Sequence, residues 1–171
     1  IIGGGFAGLN LVKKLDKSKF DVTLVDRNNY HSFPPLFYQI ASSGLDPGSI
    51  SFPYRREMRK LNAKGARYQM GEVEQIDVVN KKIKTSLDTL EYDKLVIAAG
   101  TTNNFFGMAD LHKKVYTLKS TPEAIRCRNG VLDRLERACV CHDPEERRRL
   151  LSFVVIGGGP TGVEIAGAIG E

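Results

Sequence analysis

The sequence predicts an α/β protein with a doubly wound parallel sheet, and three observations support this fold class. Ile1 and Ile2 enter a glycine-rich turn at residues 3–8, which leads to a helical pattern and a β-branched run at residues 20–26. The same strand–turn–helix pattern returns at residues 153–171. Between the two copies lie short alternating strands and another apolar run. Strands that alternate with helices in this way are typical of parallel α/β sheets.

Size and charge are those of a folded domain. With 171 residues and 42% hydrophobic content, the chain is long enough to bury a core. The net charge of +5 is small, and the basic residues form two groups: Arg55, Arg56, Arg59, Lys60, Lys64 and Arg67, then Arg147, Arg148 and Arg149. We interpret both groups as solvated helix faces, with attraction to an anionic membrane surface as the alternative. A nucleic-acid partner is therefore not expected.

Cysteine content and hydropathy favour a cytoplasmic chain. Cys127, Cys139 and Cys141 form neither an even set nor a CxxC pair, which favours a reducing compartment. No run approaches the ~20 consecutive apolar residues of a membrane-spanning helix. Because Ile1 opens the chain without a methionine and Glu171 ends it inside a helical pattern, we expect a truncated fragment of a longer protein.

The first part of the chain predicts one strand–helix–strand unit followed by a β meander. The first helix runs to about Lys17, and a buried strand covers residues 20–26. Residues 27–52 lack periodicity and indicate a long loop or irregular helix. A basic helix is expected over residues 53–64, and short strands over residues 68–85 with a turn at residues 80–82, continuing at 90–93. Residues 95–99 predict a fully buried strand.

The remainder predicts two helices and a second glycine turn. Ser120, Pro122 and Glu123 form a capping-box start for a helix whose apolar face is expected at Ile125, Val131, Leu132, Leu135 and Cys139. Residues 143–146 begin a short helix that ends in the arginines at 147–149. Residues 153–156 predict another buried strand, before a helix with small or apolar residues at Gly162, Ile165, Ala166 and Ile169.

Both glycine turns suit the pyrophosphate of a dinucleotide. Backbone N–H groups at a helix amino end bind phosphate, and close approach requires residues without side chains. The first glycine makes the tight turn, the second lies next to the phosphate and the third packs helix on strand; they are Gly3, Gly5 and Gly8, and again Gly157, Gly159 and Gly162. A lone GxGxxG string is equally compatible with a structural turn, but each copy here follows an apolar run and opens a helix.

Two further features support a nucleotide at the first turn. Asp26 ends the second strand, where its carboxylate would accept hydrogen bonds from a ribose diol; the alternative is a loop cap. Ala99, Gly100 and Thr101 are small residues just past an apolar run, where they would form the floor of the ligand site; the alternative is an ordinary strand end.

Four motifs together resemble the two-dinucleotide flavoprotein reductases, and among them the type II NADH dehydrogenases, the single-subunit NADH:quinone oxidoreductases of the FAD-dependent pyridine nucleotide-disulfide oxidoreductase superfamily. The motifs are IIGGGFAGL with Asp26 beyond it, YHSFPPLFYQIASSGL at residues 30–45, YDKLVIAAGTTNNFFG at 92–107 and FVVIGGGPTGVEIAGAIGE at 153–171. The resemblance implies a Rossmann-type FAD-binding domain with a β meander at residues 1–118. Residues 119–171 would then hold linker helices and the start of a Rossmann-type NAD(P)H-binding domain.

The resemblance also implies hydride transfer from NADH to FAD and electron transfer to a membrane quinone. The implied cofactor-binding residues are Gly3, Gly5, Phe6, Ala7, Gly8, Asp26, Val73, Ala99, Gly100, Thr101, Gly157, Gly159, Gly162 and Glu164. Glu164 resembles a carboxylate near the nicotinamide, although a first-turn helix acid is the alternative. Tyr30, His31, Phe37 and Gln39 lie in the loop that would face the flavin, and His31 is assigned no catalytic role. No catalytic triad or metal cluster is needed, and no catalytic side chain is assigned.

Two alternatives remain at this stage. Because no cysteine precedes Cys127, electrons have no local thiol acceptor, yet a related reductase with ferredoxin or another protein acceptor stays possible, as does a non-catalytic nucleotide-binding redox module. By resemblance, we expect the full-length protein to lie peripherally on the cytoplasmic side of a membrane and to form a homodimer. The 171-residue chain alone is expected to be inactive as an NADH:quinone oxidoreductase.

Overall fold

The computed structural model describes residues 1–62, 65–108 and 110–170, apart from the side chains of residues 60–62. The side chain of Lys60 and all of Lys64, predicted for the basic helix, lie outside the described part. The chain divides into two compact units. The first comprises Ile1–Ser32 and Ser51–Thr101, and the second Phe33–Ile50 and Thr102–Glu171. The expected domain boundary near residue 118 stays a prediction.

The described residues form seven helices and seven short strands, besides two 3-10 turns. In chain order the helices are α1 (Phe6–Lys14), α2 (Phe37–Ala41), α3 (Tyr54–Asn62), α4 (Leu111–Lys114), α5 (Thr121–Val140), α6 (Pro144–Leu150) and α7 (Pro160–Gly170). The strands are β1 (Val22–Asp26), β2 (Tyr30–Ser32), β3 (Ser51–Pro53), β4 (Ala66–Met70), β5 (Val73–Asp77), β6 (Lys82–Thr85) and β7 (Thr89–Glu91). Residues 27–52, expected as a loop or irregular helix, thus hold β2, α2, the start of β3 and two 3-10 turns.

A parallel sheet forms the centre of the first unit. β1 pairs with β4 in parallel, from Val22 opposite Ala66 to Asp26 opposite Met70. Ile2 forms parallel bridges to Val25 on one side and to Ile97 on the other. With Ile2 and Ile97 counted as strand positions, the order across the sheet is β4, β1, Ile2 and Ile97, which are third, second, first and fourth along the chain. This 3-2-1-4 order is that of the doubly wound dinucleotide-binding fold.

Both faces of this sheet are covered, because successive side chains of a strand point to opposite sides. On one side, β1 packs Val22 and Leu24 against α1 and α3, in a buried cluster completed by Leu9, Val12, Tyr54, Met58 and Ala66. On the other side, Val25 and Ile2 pack against Ile83 of the antiparallel meander β5–β6–β7. The turn between β5 and β6 covers residues 78–81, slightly before the position expected from the sequence.

The second unit is helical. Phe37 and Ile40 of α2 pack against Ala124 of α5 and against Ile50. A neighbouring cluster joins Ala41 of α2, Cys127 of α5 and Ile165 of α7. Both expected helix starts are confirmed: the Ser120 side chain accepts a hydrogen bond from Glu123 N, and Asp143 accepts one from Glu145 N. The Glu123 carboxylate bonds to Lys119 N, one residue before the position that a capping box requires.

Two apolar runs were wrongly expected as buried strands. Residues 95–99 form a single bridge, at Ile97, whose side chain is 65% exposed. Residues 153–156 form no strand in the described structure, and Val154 is 88% exposed. A parallel strand is defined by hydrogen bonds to its neighbours. The first run has one such neighbour, and no described residue pairs with the second.

The expected apolar face of α5 was also wrong. Leu132, Leu135 and Cys139 are exposed, and Ile125 and Val131 are only half-buried. The buried residues are Thr121, Ala124, Cys127 and Ala138. Small residues on this face let α2 approach α5 closely, so the larger leucines of α5 remain on its outer side.

Candidate dinucleotide-binding site

The first glycine loop is shaped by two contacts that leave no room for side chains. Gly3 has a φ of +95°, in the left-handed region that favours glycine. A Cβ at Gly3 would overlap the carbonyl of Ala98, and a Cβ at Gly8 would overlap the carbonyl of Gly3. These glycines let the loop pass closely between the strand end and helix α1, as the sequence predicts.

Gly5 has the opposite surroundings. It is exposed, and a Cβ built on it would meet nothing within 4 Å. Gly5 is the N-cap of α1 and makes no side-chain cap hydrogen bond. The amino end of a helix presents backbone N–H groups that lack partners within the helix. A cradle that lacks side chains next to an open helix amino end fits a phosphate group.

Asp26 lies beside this loop and already binds its backbone. The Oδ2 atom accepts a 2.6 Å hydrogen bond from Gly4 N, and Oδ1 accepts one of 2.8 Å from Asn28 N. A carboxylate has about four acceptor positions, so these bonds leave capacity for a hydroxyl donor. Asp26 is therefore part of the loop's own support as well as the predicted ribose partner, a role that stays a prediction.

Tyr54 and His31 complete the surroundings of the loop. Tyr54 is 2% exposed, and its hydroxyl donates a 3.4 Å hydrogen bond to Asp26 Oδ2. A Cβ at Gly4 would overlap this hydroxyl. His31 is 8% exposed and bonds the Gly4 carbonyl through Nδ1. Sequence reasoning missed Tyr54, because its only signal was a place at the start of a basic helix.

Burial and the Asp26 carboxylate raise the pKa values of two tyrosines at this site, Tyr54 and Tyr68. Burial raises the pKa of Tyr54 above its usual range, and the nearby negative charge of Asp26 raises it further. Burial and Asp26 also raise the pKa of Tyr68 to about 12. Both phenols are therefore protonated near neutral pH, and Tyr54 acts as a hydrogen-bond donor to Asp26.

The remaining predicted residues of the first site lie around the same loop. Phe6 begins α1, half exposed, with its ring edge-on to His31 at 5.5 Å between centroids, and Ala7 is exposed beside it. Ala99 lies under Gly3, and Gly100 and Thr101 follow on the exposed side. Val73 is half-buried on β5 and packs against the sheet core.

The second glycine loop repeats three features of the first. Gly157 has a φ of +110°, and a Cβ at Gly162 would overlap the Gly157 carbonyl, as Gly8 does with Gly3. A Cβ at Gly159 would meet nothing within 4 Å, the same finding as at Gly5. Glu164 is exposed and is the fifth residue of α7, just past its first turn, so the alternative of a first-turn acid is wrong. The second loop thus shares with the first its left-handed first glycine, the close contact of its third glycine and the open space at its second.

Residues 37–39 and the cysteines have structural surroundings. Phe37 is fully buried in the core of the second unit, and Gln39 is half-buried with its amide bonded to the Tyr38 hydroxyl. Cys127 is buried, and burial raises the pKa of its thiol. Cys139 is exposed, in agreement with packing or surface roles for these thiols.

The parallel sheet has the order 3-2-1-4, a glycine turn follows Ile2, and the acidic residue Asp26 ends β1. Together these features define a Rossmann-type dinucleotide-binding protein. Comparison with known proteins gives the family. The chain belongs to the pyridine nucleotide-disulphide oxidoreductases, and the match covers residues 1–171. The resemblance inferred from the four motifs is thereby confirmed.

Known relatives show which members of this family the chain is similar to. The chain is 38% identical to the type II NADH:quinone oxidoreductase Ndh of Mycobacterium tuberculosis, over all of this chain and 37% of that protein. It is 34% identical to the mitochondrial external alternative NAD(P)H-ubiquinone oxidoreductase B4 of Arabidopsis thaliana, over 97% of this chain and 30% of that protein. The structure of NDH2 from Plasmodium falciparum in complex with NADH matches with a TM-score of 0.89 at 32% identity, over 98% of this chain and 35% of that one.

The similarity covers only part of each relative. The chain spans about a third of the length of the relatives that it matches. None of the helices in the described residues combines the length and the apolar character that crossing a bilayer requires.

Proposed function

We propose that this chain supplies the FAD-binding core and the start of the NADH-binding domain of an NADH:quinone oxidoreductase. The observation that carries the proposal is the recurrence of one loop geometry, in which the third glycine rests on the carbonyl of the first and the second faces open space. Two such loops in one chain suit two dinucleotides. Relatives named NADH:quinone oxidoreductases support this pair of dinucleotides and this acceptor.

The residues of the first loop fit FAD. Gly5 and the amino end of α1 would hold the pyrophosphate, and Asp26 would accept hydrogen bonds from the ribose hydroxyls. Ala99, Gly100 and Thr101 would leave room for the ligand beside Gly3. When bound, FAD supplies a carrier that accepts hydride from NADH and passes electrons to a quinone.

The residues of the second loop fit NADH. Gly159 and the amino end of α7 would hold its pyrophosphate, and Gly162 packs that helix on the loop. Glu164, exposed just past the first turn of α7, would lie near the nicotinamide. The role of these side chains is to bind and orient, since the redox chemistry belongs to the two cofactors.

Absorbance of the full-length protein tests the function. We expect a yellow protein whose flavin absorbance bleaches with NADH under anaerobic conditions and recovers when a soluble quinone is added. Because no cysteine precedes Cys127 in this chain, a disulfide substrate should not restore the oxidised flavin. Bleaching without recovery by quinone would instead favour a protein acceptor such as ferredoxin, and a protein without flavin would favour a non-catalytic module.

The proposal extends to the setting of the full-length protein. The full-length protein would lie peripherally on the cytoplasmic side of a membrane, since quinones dissolve in the membrane itself. It would also form a homodimer. Flotation with liposomes of anionic and of neutral lipid, with light scattering in detergent-free buffer, tests both statements. Full-length protein that stays with neither vesicle, or that is monomeric, contradicts the corresponding part.

Activity of the isolated 171-residue chain provides a separate test of the domain layout. We expect little or no NADH:quinone turnover from this chain, because it spans about a third of the length of the NADH:quinone oxidoreductases that it matches. The same preparation should be compared with full-length protein at equal flavin content. Comparable turnover would contradict the layout.

A further inference from the structure

Gly4 of the first loop carries two hydrogen bonds that fix the orientation of its backbone. Its N–H donates to Asp26 Oδ2 at 2.6 Å, and its carbonyl oxygen lies 2.9 Å from His31 Nδ1. A carbonyl oxygen only accepts, so His31 Nδ1 must carry the proton and donate it. Gly4 is buried, and the Tyr54 hydroxyl occupies the space that a Cβ would need.

The bond from His31 also determines the direction of the next N–H group. The peptide between Gly4 and Gly5 is planar and trans, so its carbonyl and its N–H point in opposite directions. Because the Gly4 carbonyl is held towards His31, the Gly5 N–H points away from it. Gly5 is exposed, and the space around its Cβ position is open.

His31 is itself held in place. It lies on β2, which pairs with β3 so that His31 is opposite Phe52. Its ring meets Phe6 edge-on at 5.5 Å and Tyr54 at 6.4 Å between centroids. An imidazole that is buried between two aromatic rings has little rotational freedom, so its Nδ1–H is a fixed donor.

We propose that His31 is a positioning residue for the first dinucleotide: its Nδ1–H holds the Gly4 carbonyl and thereby aims the Gly5 N–H at the pyrophosphate. This role rests on the proposed function of the loop. His31 does not touch the ligand and takes no part in redox chemistry. It removes the freedom of one peptide to rotate, so the amide is already oriented when FAD binds.

Two amide substitutions in the full-length protein test the role. In His31→Asn the side-chain NH2 lies close to the position of Nδ1, whereas in His31→Gln it lies close to that of Nε2. We expect His31→Asn to keep FAD affinity within about threefold and His31→Gln to lose about tenfold or more, since without the donor at Nδ1 the Gly4 carbonyl is released and the Gly5 N–H is no longer held towards the ligand. Titration of apoprotein with FAD, followed by the quenching of flavin fluorescence, measures both affinities.

The control is Ser32→Ala, which changes the next residue of β2, whose side chain points to the other side of the strand. It should bind FAD as the wild type does. Equal affinity of the two His31 variants, or tighter binding by His31→Gln, would overturn the positioning role. Wild-type apoprotein that does not bind FAD at all would overturn the proposed function, and the positioning role with it.

Discussion

Gly5 and Gly8 belong to one motif, yet the structure gives each a different reason to be glycine. Gly8 has no space, because a Cβ would overlap the Gly3 carbonyl. Gly5 has ample space and, as an N-cap with φ −65°, an ordinary backbone conformation. The fold therefore requires glycine at position 8, whereas at position 5 only a ligand would.

Alanine substitutions should separate these two requirements. We expect Gly8→Ala to destabilise the protein by about 1–3 kcal/mol, as forced overpacking does. Gly5→Ala should leave stability within about 0.5 kcal/mol of wild type, as a surface substitution does, and still lower FAD affinity at least ~10-fold through a Cβ placed at the phosphate. Chemical denaturation of the apoprotein and FAD titration measure the two effects. If a stable Gly5→Ala protein bound FAD as tightly as wild type does, the phosphate would not lie at this position.

The buried tyrosines beside Asp26 should make the protein sensitive to alkaline pH. A phenol has an unfolded pKa of about 10, and folding raises the pKa of Tyr54 and brings that of Tyr68 to about 12. The stability that these protonated phenols contribute is therefore complete below pH ~10 and is lost as the pH rises through their folded pKa values.

Tyr54→Phe isolates the share of Tyr54 in this pH dependence. The variant keeps the ring in the core with Leu24 and Met58 but has no group to ionise. We expect its melting temperature to fall less than that of wild type between pH 9 and pH 11, the slope for one group being at most about 1.4 kcal/mol per pH unit. Tyr68→Phe is the matched control, with a smaller effect because Tyr68 is partly exposed. Parallel curves for wild type and Tyr54→Phe would contradict the assignment.

At the scale of the elements, the sequence predicted strands and helices better than their burial. The glycine turns, the caps at Ser120 and Asp143 and the strand β1 are encoded by neighbouring residues, so they were found in place. The runs at 95–99 and 153–156 have the composition of buried strands, but burial depends on which elements pair with them. The Tyr54–Asp26 contact joins residues 28 apart and leaves no local pattern.

Helix α5 offers a test at this scale, because a single side chain caps its twenty residues. The Ser120 hydroxyl accepts a hydrogen bond from Glu123 N at 3.4 Å. We expect Ser120→Ala to destabilise the helix by about 1 kcal/mol, while Ser120→Asp, which keeps an acceptor, should be close to wild type. Hydrogen exchange of the first amides of α5 measures the change locally. If the first amides of α5 exchanged equally fast in Ser120→Ala and in Ser120→Asp, the cap would contribute nothing to the stability of the helix.

At the scale of the whole molecule, the chain contains two loops of the same design in separate compact units. The sequence alone predicted this repeat, because glycine spacing and the apolar run before it are local features. It could not predict that Asp26 and His31 both bind Gly4 of the first loop, since these contacts depend on the fold. Each loop is expected to hold its own dinucleotide, so damage to one should spare the other.

Gly159→Ala tests this independence. A Cβ at Gly159 meets nothing within 4 Å, so the substitution should not disturb the fold, but it would project into the space proposed for the NADH pyrophosphate. We expect the full-length variant to retain its FAD and to raise the KM for NADH at least ~10-fold, which corresponds to about 1.4 kcal/mol of lost binding. Gly5→Ala in the same assay should show the reverse, with flavin lost and the KM of the flavin-loaded fraction unchanged. If Gly159→Ala lost flavin and kept an unchanged KM for NADH, the second loop would be the FAD site and the first the NADH site.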